Sequence, residues 1–228
     1  MAVAASAIIS GGSGGLGSAV TATLLQAGWR VVVPYVDEHE LERLEPSDAL
    51  VTIAADLFDP AAVAGVVERA GPSLRAVVNL VGGFAEGGRV HETPIDDFEK
   101  QFRLNLRPTY LLSQAGIPPM LAGGGGAIVC VSTRAAVRPF PGAAGYITSK
   151  AAVLAFVDAL AVEYTADGIR ANAILPSVID TPANRAAQPD ADHSRWVPPE
   201  QIGRVIRFLC SEDSAPTSGA HVPVYGRA

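Results

Sequence analysis

The sequence predicts one α/β domain, with a parallel β-sheet of about seven strands and helices on both faces. Two observations lead to this prediction. Short apolar segments of strand length alternate with longer helical segments along the whole chain. Of the 228 residues, 49% are hydrophobic, which is enough for one sizeable core. No repeat, linker or low-complexity segment divides the sequence, so we treat residues 1–228 as one domain.

The strands are predicted from short runs of Val, Ile, Leu and Ala. In chain order they cover residues 2–9, 30–35, 50–54, 75–81, 127–131, 169–175 and 220–224. Helices are predicted between them, over residues 18–27, 38–44, 60–70, 95–102, 104–113, 142–165 and 198–210. We expect Pro34 to end the second strand and Pro108 to interrupt a helix, because proline lacks a backbone donor. Residues 83–92 and 183–196 show no clear period, and we expect a loop and a mobile flap beside a ligand site.

A glycine-rich turn, residues 10–17, separates the first strand from the first helix. Two overlapping glycine spacings fit it: Gly12, Gly14 and Gly17, or Gly11, Gly15 and Gly17. In either case bare backbone can approach a pyrophosphate, and the helix N-terminus supplies N–H donors. A merely flexible loop is the alternative, but the flanking strand and helix favour dinucleotide binding.

Two carboxylates follow predicted strands at the same edge of the sheet. Asp37 lies 20 residues after Gly17, where it could bind an adenosine ribose or, equally, cap the next helix. Asp56 could accept a hydrogen bond from an adenine amino group or cap a helix, although Asp59 is the better placed cap. No Arg or Lys lies in the glycine turn or directly after the second strand, so a 2′-phosphate would lack a partner. The sequence therefore favours NAD(H) over NADP(H).

Tyr146 and Lys150 lie four residues apart in a predicted helix, so both side chains leave the same face. A neighbouring ammonium favours a phenolate, so we expect a lowered pKa for Tyr146 and proton exchange near neutral pH. Taken alone, such a pair is more often an exposed surface pair. Ser132 and Thr133 end the fifth strand, where open parallel sheets bind their ligands. Asn105 lies in a helical stretch, where a solvated surface position is usual.

The bulk composition argues against several classes of function. The net charge is −6 and there is no basic run, which argues against nucleic-acid and acidic-membrane partners. Cys130 and Cys210 lie in apolar runs and are predicted to be buried thiols of a cytoplasmic protein, and the four scattered histidines do not indicate a metal site. The apolar N-terminus lacks a positive region and is interpreted as a strand, not a signal peptide. No apolar run reaches the roughly 18 residues of a membrane span.

These motifs, in this order, resemble those of the short-chain dehydrogenase/reductase family over essentially the whole sequence. They are residues 10–17, Asp56-Leu57, Asn79-Leu80-Val81-Gly82, Asn105, Ser132-Thr133, Tyr146 with Lys150, and residues 172–176 leading to Thr181. The resemblance implies a Rossmann-type, doubly wound sheet. It also implies an NAD(P)-dependent oxidoreductase that transfers hydride between nicotinamide and a small carbonyl or alcohol substrate.

The resemblance also implies roles for individual residues. Tyr146 would act as general acid or base, Lys150 would hold the nicotinamide ribose and lower the Tyr146 pKa, and Asn105 would position a relay water. Thr181 would contact the nicotinamide carboxamide. The other cofactor contacts implied are Gly11, Gly12, Ser13, Gly14, Gly15, Leu16, Gly17, Asp37, Asp56, Leu57, Asn79, Val81, Gly82, Pro176 and Val178.

The sequence departs from the family pattern at several positions. The usual serine, 13 residues before Tyr146, is replaced by Thr133, and Ser132 lies beside it. Either hydroxyl could hold the substrate oxygen, and we favour Thr133 slightly. Tyr35 stands where members that prefer NAD often carry Asp, which leaves the coenzyme open.

Two segments, residues 81–87 and 175–196, are also similar to dihydropteridine reductases, which makes a quinonoid dihydropterin one candidate substrate. The family commonly forms dimers or tetramers through two long helices, here residues 104–121 and 142–165. A dinucleotide-binding redox sensor or scaffold without catalysis is the alternative on the same fold.

Overall fold

The structure is a computed structural model that describes residues 4–227, so residues 2 and 3 of the predicted first strand lie outside the described residues. One sheet of seven parallel strands runs in the order β3-β2-β1-β4-β5-β6-β7. The strands are β1 Ser6–Ser10, β2 Arg30–Tyr35, β3 Leu50–Ala54, β4 Leu74–Asn79, β5 Gly126–Val131, β6 Ile169–Pro176 and β7 His221–Val224. The predicted Rossmann-type fold is confirmed.

Helices cover both faces of this sheet. They are α1 Gly17–Gln26, α2 Pro60–Ala70, α3 Ile95–Asn105, α4 Arg107–Ala122, α5 Ala144–Tyr164, α6 Pro182–Ala187 and α7 Pro199–Cys210. Strand residues alternate between two apolar clusters: Ile8 packs with α2, α4 and α5, whereas Ala7 and Ile9 pack with α1 and α7. Because both faces are buried, the central strands are apolar at nearly every position.

Both prolines act differently from the prediction. Pro34 lies inside β2 and is in register with Ile53 of β3. The pairing of β2 with β1 stops at Val32, so β2 has a partner on one side only at Pro34 and the strand continues to its next residue. Pro108 lies in the first turn of α4, where a missing N–H costs little, and the break between helices comes at Leu106.

Two segments between regular elements also differ from expectation. Residues 38–44 form a 3-10 turn, Glu38–Arg43, instead of an α-helix. The expected flap, residues 183–196, contains most of α6 and a short 3-10 turn. It is closed at its base by a bridge between Ile179 and Val197. The sequence did not predict α6, because this helix has no buried residue and its polar, alanine-rich sequence shows no apolar period.

The long helix α5 is unusually apolar. By length and composition, α5 and the turn after it, Ala144–Asp167, could cross a membrane. In this fold α5 packs against β6 and α3, and Val153, Val157 and Leu160 are buried. Packing in the core accounts for part of its apolar character, since 39% of its most apolar 18-residue window is buried. Cys130 and Cys210 are free and buried, as predicted, and burial raises the pKa of each thiol to about 12.

Candidate active site

The site lies where the carboxyl ends of the central strands meet. The glycine turn follows β1, Gly82 follows β4, Ser132 and Thr133 follow β5, and Thr181 follows β6. Parallel strands end at one edge of a sheet, so these segments are brought together although they are distant in sequence. This edge also faces the start of α5, which carries Tyr146 and Lys150.

The glycine turn has a backbone path that side chains would block. Gly11 has a φ of +68°, and a Cβ on Gly17 would overlap the Gly11 carbonyl oxygen. A Cβ on Gly15 would lie 3.2 Å from the Thr181 side chain, so the turn and Thr181 are neighbours. Helix α1 begins without a side-chain cap. Ser18 N already donates to the Gly14 carbonyl at 2.9 Å. The first N–H groups that have no such partner can donate to an anion, as in a diphosphate site.

The 3-10 turn after β2 packs against the glycine turn. Ser13 Oγ donates to Glu40 Oε2 at 2.9 Å, and Arg43 Nη1 donates to the Ser13 carbonyl at 3.3 Å. Glu40 and Arg43 also form an ion pair at 3.5 Å. Asp37 caps this turn by accepting from His39 N at 3.0 Å. Sequence reasoning missed Glu40 and Arg43, whose spacing of three residues was the only signal that they form a pair.

Lys150 is the most deeply buried charged group of the site. The side chain is 6% exposed, and Nζ donates to the Val131 carbonyl at 3.0 Å. Burial lowers the Lys150 pKa to about 8, since a desolvated ammonium is disfavoured. A Cβ on Gly82 would lie 2.9 Å from Lys150 Nζ and 2.6 Å from Asn105 Oδ1. Because Gly82 has no side chain, Lys150 and Asn105 can lie this close to the backbone at the end of β4.

Asn105 is fully buried and joins three segments, unlike the solvated Asn that is usual in a helix. Its Oδ1 accepts from Gly83 N at 2.9 Å, and its Nδ2 donates to Ser149 Oγ at 3.0 Å. Ser149 Oγ in turn donates to the Tyr146 carbonyl at 2.8 Å. Asn105 thus ties the loop after β4 to the first turns of α5. Ser149 has no place in the motif, and sequence reasoning missed it.

The two hydroxyls at the end of β5 have different environments. Ser132 Oγ is buried and donates to the Lys150 carbonyl at 2.8 Å, so it holds the backbone of α5. The Thr133 hydroxyl lies close enough to the Tyr146 phenol to favour its ionised form. Thr133 also accepts from Ala135 N at 3.3 Å. The hydroxyl beside the phenol is therefore that of Thr133.

The expected lowering of the Tyr146 pKa is wrong for this structure. Burial raises the pKa of Tyr146 above its ordinary value, and the neighbouring Thr133 hydroxyl opposes that rise only in part. The Lys150 ammonium is directed at the Val131 carbonyl instead of the phenol. Four-residue spacing placed both side chains on one helix face, but it could not reveal that desolvation dominates.

Three other residues predicted to contact the cofactor are Asp56, Asn79 and Leu57. Asp56 accepts a hydrogen bond from Phe58 N at 2.9 Å. The residue that caps α2 is Asp59, as predicted, and not Asp56. Asn79 is buried, and its Nδ2 donates to Ser113 Oγ at 3.1 Å, so its side chain points into the core below the edge. Leu57 is also a core residue.

The other residues predicted to contact the cofactor make backbone or packing contacts in this structure. Val81 would lie 3.4 Å from a Cβ on Gly11, next to the glycine turn. Pro176 ends β6 in register with Val224 of β7, and the Val178 carbonyl accepts from Val197 N at 2.9 Å. Leu16 directly precedes α1 and packs on the apolar cluster of α1 and α7. Within residues 4–227, no group of three or more His, Cys, Asp or Glu side chains could hold a metal ion.

Comparisons with known proteins agree with this arrangement. A family model described as Enoyl-(Acyl carrier protein) reductase matches residues 11–226. The chain belongs to the short-chain dehydrogenase/reductase family, and it is an oxidoreductase.

Individual relatives match along nearly their whole length. The chain is 33% identical to 2-(R)-hydroxypropyl-CoM dehydrogenase of Xanthobacter autotrophicus over 242 residues, which cover 96% of each chain. It is 30% identical to the 2,5-dichloro-2,5-cyclohexadiene-1,4-diol dehydrogenase LinX of Sphingobium indicum, over 96% of this chain and 94% of the relative. The structure of 3-ketoacyl-(acyl-carrier-protein) reductase from Brucella melitensis, complexed with NADH, superposes with a TM-score of 0.87 at 27% identity and 98% coverage of both chains.

The close approach at Gly82 predicts a position-specific loss of stability. Gly82→Ala should lower the free energy of unfolding by about 1–3 kcal/mol, because the added methyl group overlaps Asn105 Oδ1. Gly65→Ala is the control, since a Cβ there meets nothing within 4 Å and alanine favours helix α2. Urea denaturation measures both variants. Equal free energies of unfolding for Gly82→Ala and the original chain would contradict the packing described here.

Burial of Lys150 predicts a pH-dependent cost to stability. Below pH 8 the ammonium is charged in both folded and unfolded chains, and its full desolvation cost is present. As pH rises from about 8 towards 10.5, the folded chain releases this proton first, so its stability rises relative to a variant without the amine. Lys150→Met should therefore be stabilised at pH 7, and this advantage should shrink by about 2–3 kcal/mol by pH 10. Denaturation at both pH values measures it; an advantage independent of pH contradicts the burial.

Proposed function

We propose that the chain is an NAD(P)-dependent dehydrogenase or reductase in which Tyr146 exchanges a proton with the oxygen of a small carbonyl or alcohol substrate. The observation that carries this proposal is the convergence of Thr133, Tyr146 and Lys150 beside Gly82 and the glycine turn. Two of the relatives are named as alcohol or diol dehydrogenases, which supports the same class of substrate.

The residues present fit a dinucleotide. The turn over residues 11–17 has a bare backbone and leads to an uncapped helix N-terminus, which suits a diphosphate. Lys150 Nζ lies close to Gly82 at the strand ends, and its ammonium could donate to a ribose hydroxyl there. Thr181 lies against Gly15 and would bind the carboxamide end. When bound, the nicotinamide supplies or accepts the hydride.

The protein's own residues would manage the oxygen and the proton. In carbonyl reduction the Thr133 hydroxyl holds the substrate oxygen, and the Tyr146 phenol donates its proton to that oxygen. Because burial raises its pKa, Tyr146 is protonated at neutral pH, which is the form that reduction requires, and the same shift makes the phenol a weaker acid than in water. Asn105 keeps the first turns of α5 and the loop after β4 in register through Ser149 and Gly83. Lys150, bound to the Val131 carbonyl, supplies positive charge next to the reacting end.

A preference for NAD(H) over NADP(H) is part of this proposal. The Glu40 carboxylate is bound to Ser13 on the glycine turn, and a 2′-phosphate near this carboxylate would meet a like charge. Arg43 also reaches the turn, but it is paired with Glu40 at 3.5 Å. The positive charge that could attract a phosphate is therefore neutralised by its neighbour.

Two finer proposals extend the same reading. A quinonoid dihydropterin stays a candidate substrate on the sequence likeness of residues 81–87 and 175–196. A homodimer or homotetramer would pack through α4 and α5, which expose Tyr110 and Val162. The rival function, a dinucleotide-binding redox sensor, predicts coenzyme binding without turnover of any ketone, quinone or dihydropterin.

The proton role of Tyr146 predicts a selective loss of turnover. Tyr146→Phe should lower kcat by about 10²- to 10⁴-fold, while NADH still binds with its original affinity. Stopped-flow NADH oxidation and NADH fluorescence measure the two quantities. Tyr164→Phe, in which a tyrosine at the far end of α5 loses the same oxygen, is the control and should keep full activity. Undiminished turnover in Tyr146→Phe would refute the mechanism.

The position of Glu40 predicts a change in coenzyme preference. Glu40→Gln keeps an acceptor for Ser13 but removes the negative charge and frees Arg43 to face a phosphate. We expect the ratio of kcat/KM for NADPH to that for NADH to rise by about tenfold or more. Glu42→Gln is the matched control, because Glu42 is exposed and pairs with His39 at 3.6 Å, away from Ser13. A ratio that changes equally in both variants would show that Glu40 has no special role.

A further inference from the structure

Two phenylalanines, Phe84 and Phe140, lie beside the proposed catalytic phenol; we call them the aromatic pair. The Phe84 ring meets Tyr146 edge to face, with centroids 5.0 Å apart and planes at 87°. The Phe140 ring lies 6.4 Å from Phe84 at 45°. Phe84 is 56% exposed and Phe140 is 41% exposed, so neither ring is a core residue. A large apolar surface is thus open to solvent next to a buried polar site.

Main-chain hydrogen bonds hold the aromatic pair in this place. Gly83 N, directly before Phe84, donates to Asn105 Oδ1 at 2.9 Å. Further along the same loop, Gly87 N donates to the Gly142 carbonyl at 2.7 Å, two residues after Phe140. The two segments that carry the rings are therefore bonded to each other and to Asn105. The positions of the rings relative to Tyr146 are fixed by the same contacts that fix α5.

Fold stability does not explain the exposure of these rings. A ring that served only packing would be covered, because a half-exposed phenylalanine gives up about half of the free energy of burial. Exposed aromatic residues also occur on outer helices, such as Phe208 of α7, but those do not adjoin polar groups of the site. An apolar surface with few convergent polar groups is the usual composition of a small-molecule site. Here the convergent polar groups are Tyr146 and Thr133.

The geometry points to a substrate that carries a flat ring next to its reacting carbon, such as an aryl ketone, aryl aldehyde or benzylic alcohol. The substrate ring packs against the aromatic pair while its oxygen meets Tyr146 and Thr133. Offset or edge-to-face contact between aromatic rings adds to the gain from buried area alone, and a saturated group of the same size lacks this addition. This inference rests on the proposed function. In reduction, the carbonyl carbon gains a hydride from NADH and the oxygen gains the Tyr146 proton. The products are the alcohol and NAD⁺, and the Tyr146 phenolate regains a proton from solvent.

Three ketones of eight carbons separate ring recognition from general hydrophobicity: acetophenone, 1-cyclohexylethanone and 2-octanone. We expect kcat/KM for acetophenone to exceed that of the other two by about two- to tenfold. Phe84→Leu and Phe140→Leu should reduce this ratio towards one, whereas Phe208→Leu, which removes an exposed ring on α7, should not. Equal rates with 2-octanone and acetophenone in the original chain, or an unchanged ratio in Phe84→Leu, would overturn the inference.

Saturation-transfer NMR gives a readout that does not depend on turnover. Acetophenone and 1-cyclohexylethanone are added to the protein with and without NAD⁺, and the transfer to each ligand is compared. One outcome separates the two proposals: no ketone is reduced, but acetophenone binds selectively and Phe84→Leu removes that selectivity. This outcome supports ring recognition by the aromatic pair and contradicts the proposed function. Equal transfer to both ligands overturns the inference whether or not turnover is seen.

Discussion

The site depends on an ammonium group held inside the protein at the end of β5. Lys150 is almost fully buried, and its Nζ bonds the Val131 carbonyl. A buried cation is costly, so it persists only where the surrounding structure holds it in place. Gly82 provides the room, since any side chain there would strike Lys150 or Asn105. The lowered Lys150 pKa follows from this confinement.

The sheet order converts this local contact into a complete site. β4 and β5 are neighbours near the middle of the sheet, so the bare glycines after β4 and the hydroxyls after β5 adjoin. On one side lies the glycine turn with Glu40, and on the other lie Phe84 and Phe140. Glu40 would thus set the coenzyme preference on one side of Tyr146, and the two phenylalanines would set the accepted substrate shape on the other. Both sides are made from loops, whereas the group itself stands on α5.

The sequence predicted regular elements well and tertiary contacts poorly. β2, β3 and α2 are found at the predicted bounds, because apolar runs flanked by Gly, Pro and Asp give clear limits. Helix α6 was missed because its side chains are not buried and leave no pattern. Motif spacing brought Tyr146 and Lys150 to one face, but the contacts of Glu40 and Ser149 depend on how distant segments pack. The predicted lowering of the Tyr146 pKa was wrong for the same reason, because the burial that raises this pKa depends on the fold.

NMR of the protein prepared with ¹³C-labelled lysine tests the burial of Lys150 most directly. The chain contains two lysines, Lys100 and Lys150, so two Cε signals are expected, and exposed Lys100 serves as the internal reference. We predict that the two signals titrate apart and that the Lys150 signal has a midpoint of about 8. Two signals that titrate together would contradict the confined ammonium on which the account of this site rests.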